Sequence, residues 1–349
     1  MNNFFQDTEN LHILSFLQNY RNAKIFILAD EEMLNYYPKY WSSLLPSHYV
    51  MIYPQKSNEK EKSFHSVEKI TSYMIEHQID KYDLMINWGG GMICDLGGFV
   101  ATTYKRGIKF INYPTTLLAM IDAAIGGKNG INLNVIKNVI GTFQSPERLF
   151  INPSFLNTLP QEECLNGFGE MVKYALVRDV VLWEEIKKLT TFDIHTLKED
   201  WIKRCIDIKT SIVNKDFYDQ NIRRILNFGH TIGHALEAYG SMQGKAIAHG
   251  HAVALGVCCE SYISHIHGFI TIDKANEIKN VILKFFALPY FNSDDFEHLY
   301  ALAEYDKKNR GQDINVSLLK TIGSAIPNQS VTKDEILKSL EFMFRNPDQ

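Results

Sequence analysis

The sequence predicts an α/β N-terminal domain built on a parallel sheet, residues 1–153, followed by an all-α C-terminal domain, residues 154–349. Three observations carry this expectation. The runs Lys24-Ile25-Phe26-Ile27-Leu28-Ala29 and Tyr49-Val50-Met51-Ile52-Tyr53 lack polar alternation, as strands buried on both faces do. A third run, Leu84-Met85-Ile86-Asn87, passes through Gly89-Gly90-Gly91 directly into helical spacing over 95–103. Beyond Asn152-Pro153 strand signals give way to long amphipathic segments.

Taken in order, the first two strands need a helix between them, and the second leads into a polar loop, residues 55–63, that holds Glu59 and Lys62. A solvated charge run is the ordinary reading of that loop. Residues 66–77 show helical spacing, with Val67, Ile70, Met74 and Ile75 on one side. At the glycine turn no side chain blocks approach, and the following helix, with Asp95 in its first turns, presents backbone N–H groups and a positive dipole end. A pyrophosphate would fit there, although G-G-G is not the G-x-G-x-x-G fingerprint and also suits a plain strand-to-helix turn. Phe110-Ile111-Asn112-Tyr113 forms the next strand and ends in Thr115 and Thr116. Asp122, Lys128, Lys137 and Asn138 follow and place ligand-binding groups at one sheet edge.

In the second half, Glu170 and Lys173 of G-E-M-V-K-Y stand at i,i+3 among apolar neighbours, which argues for partial burial over a surface ion pair. Lys209, Arg223 and Asp306-Lys307-Lys308 add cations before a closing helix over 334–345. The stretch L-N-F-G-H-T-I-G-H-A-L-E sets His230 and His234 four apart on one helix face beside small residues. This is the geometry of a metal site or proton shuttle, and also of two helix histidines facing solvent or satisfied in the core. His249 and His251 open another helical run, and a zinc site needs a further ligand, for which Glu170 is a candidate.

Bulk properties narrow the class. A chain of 349 residues, 45% hydrophobic and 22% charged, has room for two cored domains. Its net charge of −4 excludes a generally cationic surface for nucleic acid or anionic membrane. Apolar runs end well short of a bilayer span and M-N-N-F-F-Q-D-T-E-N lacks a basic n-region, so the protein reads as cytoplasmic. Five cysteines, Cys94, Cys164, Cys205, Cys258 and Cys259, lack C-x-x-C spacing and read as buried small hydrophobes.

With G-G-G-M-I-C-D, P-T-T-L-L-A, D-A-A-I-G-G-K-N-G-I-N, K-N-V-I-G, G-E-M-V-K-Y, L-N-F-G-H-T-I-G-H-A-L-E and H-G-H-A-V-A in that order, the chain resembles the 3-dehydroquinate synthases over roughly residues 59–308. The resemblance implies a Rossmann-like NAD-binding N-terminal domain and a helical C-terminal domain carrying a divalent metal, zinc or cobalt. Glu170, His230 and His249 are the implied metal ligands, and His234 becomes a substrate contact and proton-transfer candidate. Glu59, Lys62, Gly89, Gly90, Gly91, Asp95, Thr115, Thr116, Lys128 and Lys137 map to the cofactor side. Asp122, Lys128, Asn138, Lys173, Lys209, Arg223, Asn227 and Lys308, in preference to Lys307, map to the substrate, and Arg106 reaches a phosphate from the second subunit of a homodimer. The implied reaction turns the phosphorylated sugar acid 3-deoxy-D-arabino-heptulosonate 7-phosphate into 3-dehydroquinate and phosphate through a transient oxidation.

Several positions depart from the family pattern: Cys94 replaces a glycine, Ala123 and Ala124 replace serines, Asn129 a threonine and Ile136 a glycine. The sharpest departure is His251, where the family has glutamate; it is expected outside the ligand set. A metal-dependent polyol dehydrogenase, another sugar-phosphate cyclase and a catalytically silent binding protein are the rival readings. The many cations assigned to an anionic substrate weigh against the first.

Overall fold

Strands buried on both faces can satisfy their backbone only beside other strands, and the apolar runs accordingly become neighbours in one parallel sheet. The computed structural model describes residues 4–7, 9–134, 136–305 and 314–345. The chain divides into two compact units, Met1–Pro160 and Gln161–Gln349. The first unit holds β1 (Phe4–Gln6), α1 (Leu11–Leu17), β2 (Lys24–Asp30), α2 (Glu31–Tyr36), α3 (Tyr40–Leu44), β3 (Tyr49–Gln55), α4 (Phe64–Glu76), β4 (Leu84–Gly89), α5 (Gly91–Thr103), β5 (Lys109–Pro114), β6 (Lys128–Leu133), β7 (Ile136–Phe143) and β8 (Arg148–Ile151). Six of these strands form one sheet in the order β1-β8-β5-β4-β2-β3, with every pairing parallel.

That order contains a reversal. From β2 the chain steps to β3 on one side, then returns to the other side of β2 with β4 and continues to β5. The C-terminal ends of β2 and β4 therefore flank a topological switch point, where open α/β sheets collect ligands. Asp30 ends the first of these strands and Gly89 the second.

Three local expectations are corrected. In α4, Ile70 and Met74 are fully buried but Ile75 is 64% exposed, because the core contact is narrower than the apolar spacing implied. Lys128, Lys137 and Asn138 do not lie on the edge of the main sheet; they belong to the separate antiparallel hairpin β6–β7. The first unit runs past Pro153 because the 3-10 turn Pro153–Thr158 returns Phe155 to its core, 5.1 Å from the ring of Tyr113 and 6.0 Å from that of Trp88.

The second unit contains α6 (Gln161–Arg178), α7 (Val180–Ile186), α8 (Glu199–Lys215), α9 (His230–Met242), α10 (His249–Ile266), α11 (Ile272–Ile282), α12 (Ser293–Tyr305), β9 (Ile314–Thr321), β10 (Ser324–Val331) and α13 (Lys333–Phe344). It is helical, as expected, and adds an antiparallel hairpin, β9–β10, to the all-α composition predicted for it. The hairpin is tied to the helices: Leu319 N–H donates to Ser264 Oγ on α10 at 3.0 Å.

Glycines decide how α6, α9 and α10 meet. A Cβ on Gly169 of α6 would lie 2.0 Å from the carbonyl oxygen of Gly250, and one on Gly256 of α10 would lie 2.0 Å from that of Gly229. A Cβ on Gly250 would lie 1.7 Å from Asn166 O. These crossings admit no side chain, so backbone meets backbone. Among the described residues no helix is long and apolar enough to cross a membrane, and all five cysteines are buried and outside any disulfide.

Candidate active site

Each proposed metal ligand is the sequence neighbour of one of these contact glycines: Glu170 follows Gly169, His230 follows Gly229, and His249 precedes Gly250. Backbone contact at the glycines converges the adjoining side chains. Glu170 Oε1 lies 3.3 Å from Nε2 of His230 and 3.3 Å from Nε2 of His249. The Lys173 ammonium, one helical turn on, meets Glu170 Oε2, and both side chains are essentially without solvent exposure. His234 completes the group, because ligand atoms of His230, His234 and His249 all lie within 4.8 Å of one another.

The outer contacts fix how the imidazoles face. His230 Nδ1 lies 3.3 Å from the carbonyl oxygen of Phe228, which can only accept, so Nδ1 carries the hydrogen and Nε2 turns its lone pair toward Glu170. His249 Nδ1 lies 3.2 Å from Glu237 Oε2 of α9. Burial pushes the Glu170 carboxyl up, but the Lys173 ammonium and the imidazoles outweigh it and hold the group well below the usual range. Burial pushes His230 down to about 4. At His249 the same burial penalty is overcome by Glu170 and Glu237, which raise it to about 10.

A buried anionic oxygen facing an imidazole lone pair is unfavourable unless a cation stands between them. Neither Glu170 oxygen has a hydrogen bond of regular geometry, although both are buried. Two imidazoles and one carboxylate also match the donor set of a catalytic zinc or cobalt site that keeps positions open. The residues present fit a divalent metal.

His251 is elsewhere. On a helix, two residues turn about 200°, so His249 and His251 face opposite ways. His251 Nε2 lies 2.7 Å from Ala287 O, its ring packs 5.3 Å from that of Phe286, and burial lowers its pKa.

In the first unit, α5 starts at the glycine turn with Gly90 at its N-cap, no capping side chain and no acid in its first turn, which leaves N–H groups for an anion. Thr116 packs against this turn: a Cβ on Gly90 would lie 3.1 Å from Thr116 Cγ2. Thr115 N–H donates to Gly89 O at 3.0 Å. Lys62, 3% exposed, pairs with Asp95 at 2.5 Å and donates to Asn138 Oδ1. Asn132 extends this cluster, donating to Glu59 Oε1 at 2.8 Å and accepting from Asn138 N–H at 2.8 Å. Asn138, matched to the substrate in the sequence, thus stands among residues matched to the cofactor.

The remaining candidates are dispersed over both units. Asp122 lies in a π-turn, Ala119–Ala123, Lys128 opens β6, and Lys137 is exposed on β7. Arg106 and its neighbour Lys105 both hold left-handed backbone, φ 66° and 47°, a strained pair of the kind found at functional sites. Lys209 is buried on α8. Arg223, also buried, donates to Phe217 O at 2.6 Å from a 3-10 turn that ends at Asn227. Lys307 and Lys308 lie outside the described residues.

Three residues escaped the sequence reading. Asp30 ends β2 at the switch point, and a Cβ on Gly89 would lie 3.1 Å from its own; an acid at that strand end was the available signal. Glu237 shares a helix face with His230 and His234 by spacing. Asn132 carried no signal beyond its place in G-I-N-L-N.

Sequence models described as 3-dehydroquinate synthase N-terminal and 3-dehydroquinate synthase C-terminal match residues 52–166 and 167–309. The 3-dehydroquinate synthase of Parabacteroides distasonis is 38% identical over 331 residues, 94% of this chain and 93% of its own length. The chain belongs to the 3-dehydroquinate synthase family. Another 3-dehydroquinate synthase, from Helicobacter pylori strain G27, is 36% identical over 91% of each chain. The fold is also that of a 2-epi-5-epi-valiolone synthase from Streptomyces hygroscopicus solved with NAD+ and Zn2+ (TM-score 0.86, 23% identity, 98% of this chain and 96% of that one). A probable glycerol dehydrogenase from Sinorhizobium meliloti shares it more distantly (TM-score 0.63, 12% identity, 97% and 95%). The fold is therefore common to 3-dehydroquinate synthases, other cyclases and dehydrogenases, and fold alone does not choose among their reactions.

Proposed function

We propose that the chain is an NAD- and metal-dependent phosphorus–oxygen lyase that converts 3-deoxy-D-arabino-heptulosonate 7-phosphate to 3-dehydroquinate and phosphate. The observation that carries the proposal is the convergence of Glu170, His230 and His249 on one point. Family membership over nearly the whole chain supports it. A zinc or cobalt ion held by those three residues would supply Lewis acidity toward a substrate hydroxyl. NAD held at the glycine turn would supply a reversible two-electron oxidation.

The protein's own groups do the rest. Lys173 keeps Glu170 ionised, while Glu237 and Phe228 O hold the two ligand imidazoles in one orientation. Asp30, Glu59, Lys62, Asp95, Asn138, Lys137, Thr115 and Thr116 are assigned to the cofactor. Lys128, Lys173, Lys209, Arg223 and Lys308 are assigned to the anionic groups of the substrate, with Asp122 and Asn227 on its hydroxyls. His234, one turn from His230 and beside the ligand atoms, is assigned proton transfer at a substrate oxygen. Arg106 is assigned to the phosphate of a second copy in a homodimer. Five buried cysteines outside any disulfide accord with a cytoplasmic enzyme.

Incubation with the heptulosonate phosphate, catalytic NAD+ and cobalt tests the reaction. Free phosphate should exceed the cofactor supplied many-fold, with no lasting NADH absorbance. NADH rising in step with substrate loss, with phosphate still bound to carbon, would replace this reading by a polyol dehydrogenase.

A further inference from the structure

The first turn of α9 has a capping problem that its own sequence does not solve. His230 is its first residue, and its N-cap is Gly229, at φ 81°, which offers no side chain to the N–H groups of the turn. Helices normally meet these donors with a Ser, Thr, Asp or Asn at the N-cap. Here the acceptor comes from α10. Glu260, fully buried, accepts from Gly229 N–H at 2.7 Å through Oε2, and from Thr231 and Ile232 N–H at 3.2 and 3.4 Å through Oε1. One turn earlier on α10, Gly256 lies against the Gly229 carbonyl.

Those three donors bracket His230, and the same turn carries Phe228 O, which orients the His230 ring. Glu260 shares its helix with His249. One carboxylate thus binds the segment that presents one imidazole to the helix that presents the other, across 31 residues of sequence. A carboxylate also matches the positive end of α9.

We infer that Glu260 is a positioning residue for the metal site: it sets the α9 turn so that His230 meets Glu170 and His249 before any ion is bound. This rests on the assignment of Glu170, His230 and His249 as metal ligands. The role differs from ordinary helix stabilisation, because it predicts an effect on the geometry and affinity of the ion and not only on melting.

The test compares the full-length protein with Glu260→Gln and with Val281→Ala, a core truncation on α11. Cobalt affinity would be measured by competition with a chromophoric chelator, alongside the visible spectrum of the cobalt-loaded protein and its Tm. Glutamine keeps the volume but replaces one accepting oxygen by a donor. Loss of an outer-shell partner typically costs about 10–100-fold in metal affinity, and Glu260→Gln should fall in that range with altered cobalt bands. Val281→Ala should lower Tm and leave both unchanged. Equal affinity and spectra for the two variants would overturn the inference.

Should Glu260→Gln fail to fold, hydrogen exchange on the metal-free wild type decides. Amides of Gly229, Thr231 and Ile232 should already be protected; free exchange until cobalt is added would show that the ion, not Glu260, orders the turn. Failure of the ligand assignment looks different, because then the wild type binds no cobalt, or His230→Gln binds it equally well.

Discussion

His249 Nδ1 lies 3.2 Å from Glu237 Oε2, so the imidazole contributed by α10 is oriented by a carboxylate from α9. Replacement by Glu237→Gln should weaken zinc binding about 10–100-fold, as is usual for carboxylates behind metal-binding histidines. Chelator competition reads this directly, and unchanged affinity would show that the contact does not orient a ligand.

His249 and His251 differ by one intervening residue and should differ completely in effect. His249→Gln should abolish tight metal binding. His251→Gln should retain stoichiometric zinc, losing at most the bond to Ala287 O, about 1 kcal/mol of stability. Comparable zinc loss in both variants would show that the ligand set is wrong.

Lys62→Met leaves Asp95 and Asn138 without the ammonium that joins them. Asp95 keeps 22% side-chain exposure, so the stability loss should fall below the roughly 3–5 kcal/mol of breaking a fully buried pair. NAD affinity, followed by calorimetry, should drop while zinc content holds. A variant with native NAD affinity would remove this cluster from the cofactor site.

Gly250→Ala drives a methyl to within 1.7 Å of Asn166 O, which is backbone and cannot swing aside. Overpacking of this kind costs about 1–3 kcal/mol or more, and thermal melts should show it. Because α6 and α10 must separate, zinc binding should weaken as well. A native melt with native zinc binding would mean that the crossing is looser than described.

The fully buried strands were readable because burial on both faces leaves continuous apolar runs, as in Leu84-Met85-Ile86. The hairpin β6–β7 was not, because β7 is largely exposed and its residues carry no core periodicity. One contact that anchors it is made by Asn129, whose amide donates to Gln144 O at 2.9 Å from the space that Gly98 leaves empty. The β9–β10 pair went unread among helical segments, although Ile314, Val316 and Leu318 do fall on one strand face. At the site, spacing singled out His230 and His234 with Glu170 as a candidate further ligand, and the resemblance to the 3-dehydroquinate synthases narrowed the set to Glu170, His230 and His249. Contacts such as Glu260 to Gly229 span 31 residues and leave no local pattern to detect.

The glycine crossings have a further consequence. Since main chain touching main chain locates α6, α9 and α10, the scaffold does not depend on which donors stand beside those glycines. Donor identity becomes a separate variable, open to substitution while the helices stay in register. An exchange such as Glu170→His would act on metal preference and on the charge balance with Lys173, whereas a single methyl at Gly169 or Gly250 would push the helices themselves apart. Residues that carry no chemistry of their own thus set where the donors of the metal centre stand.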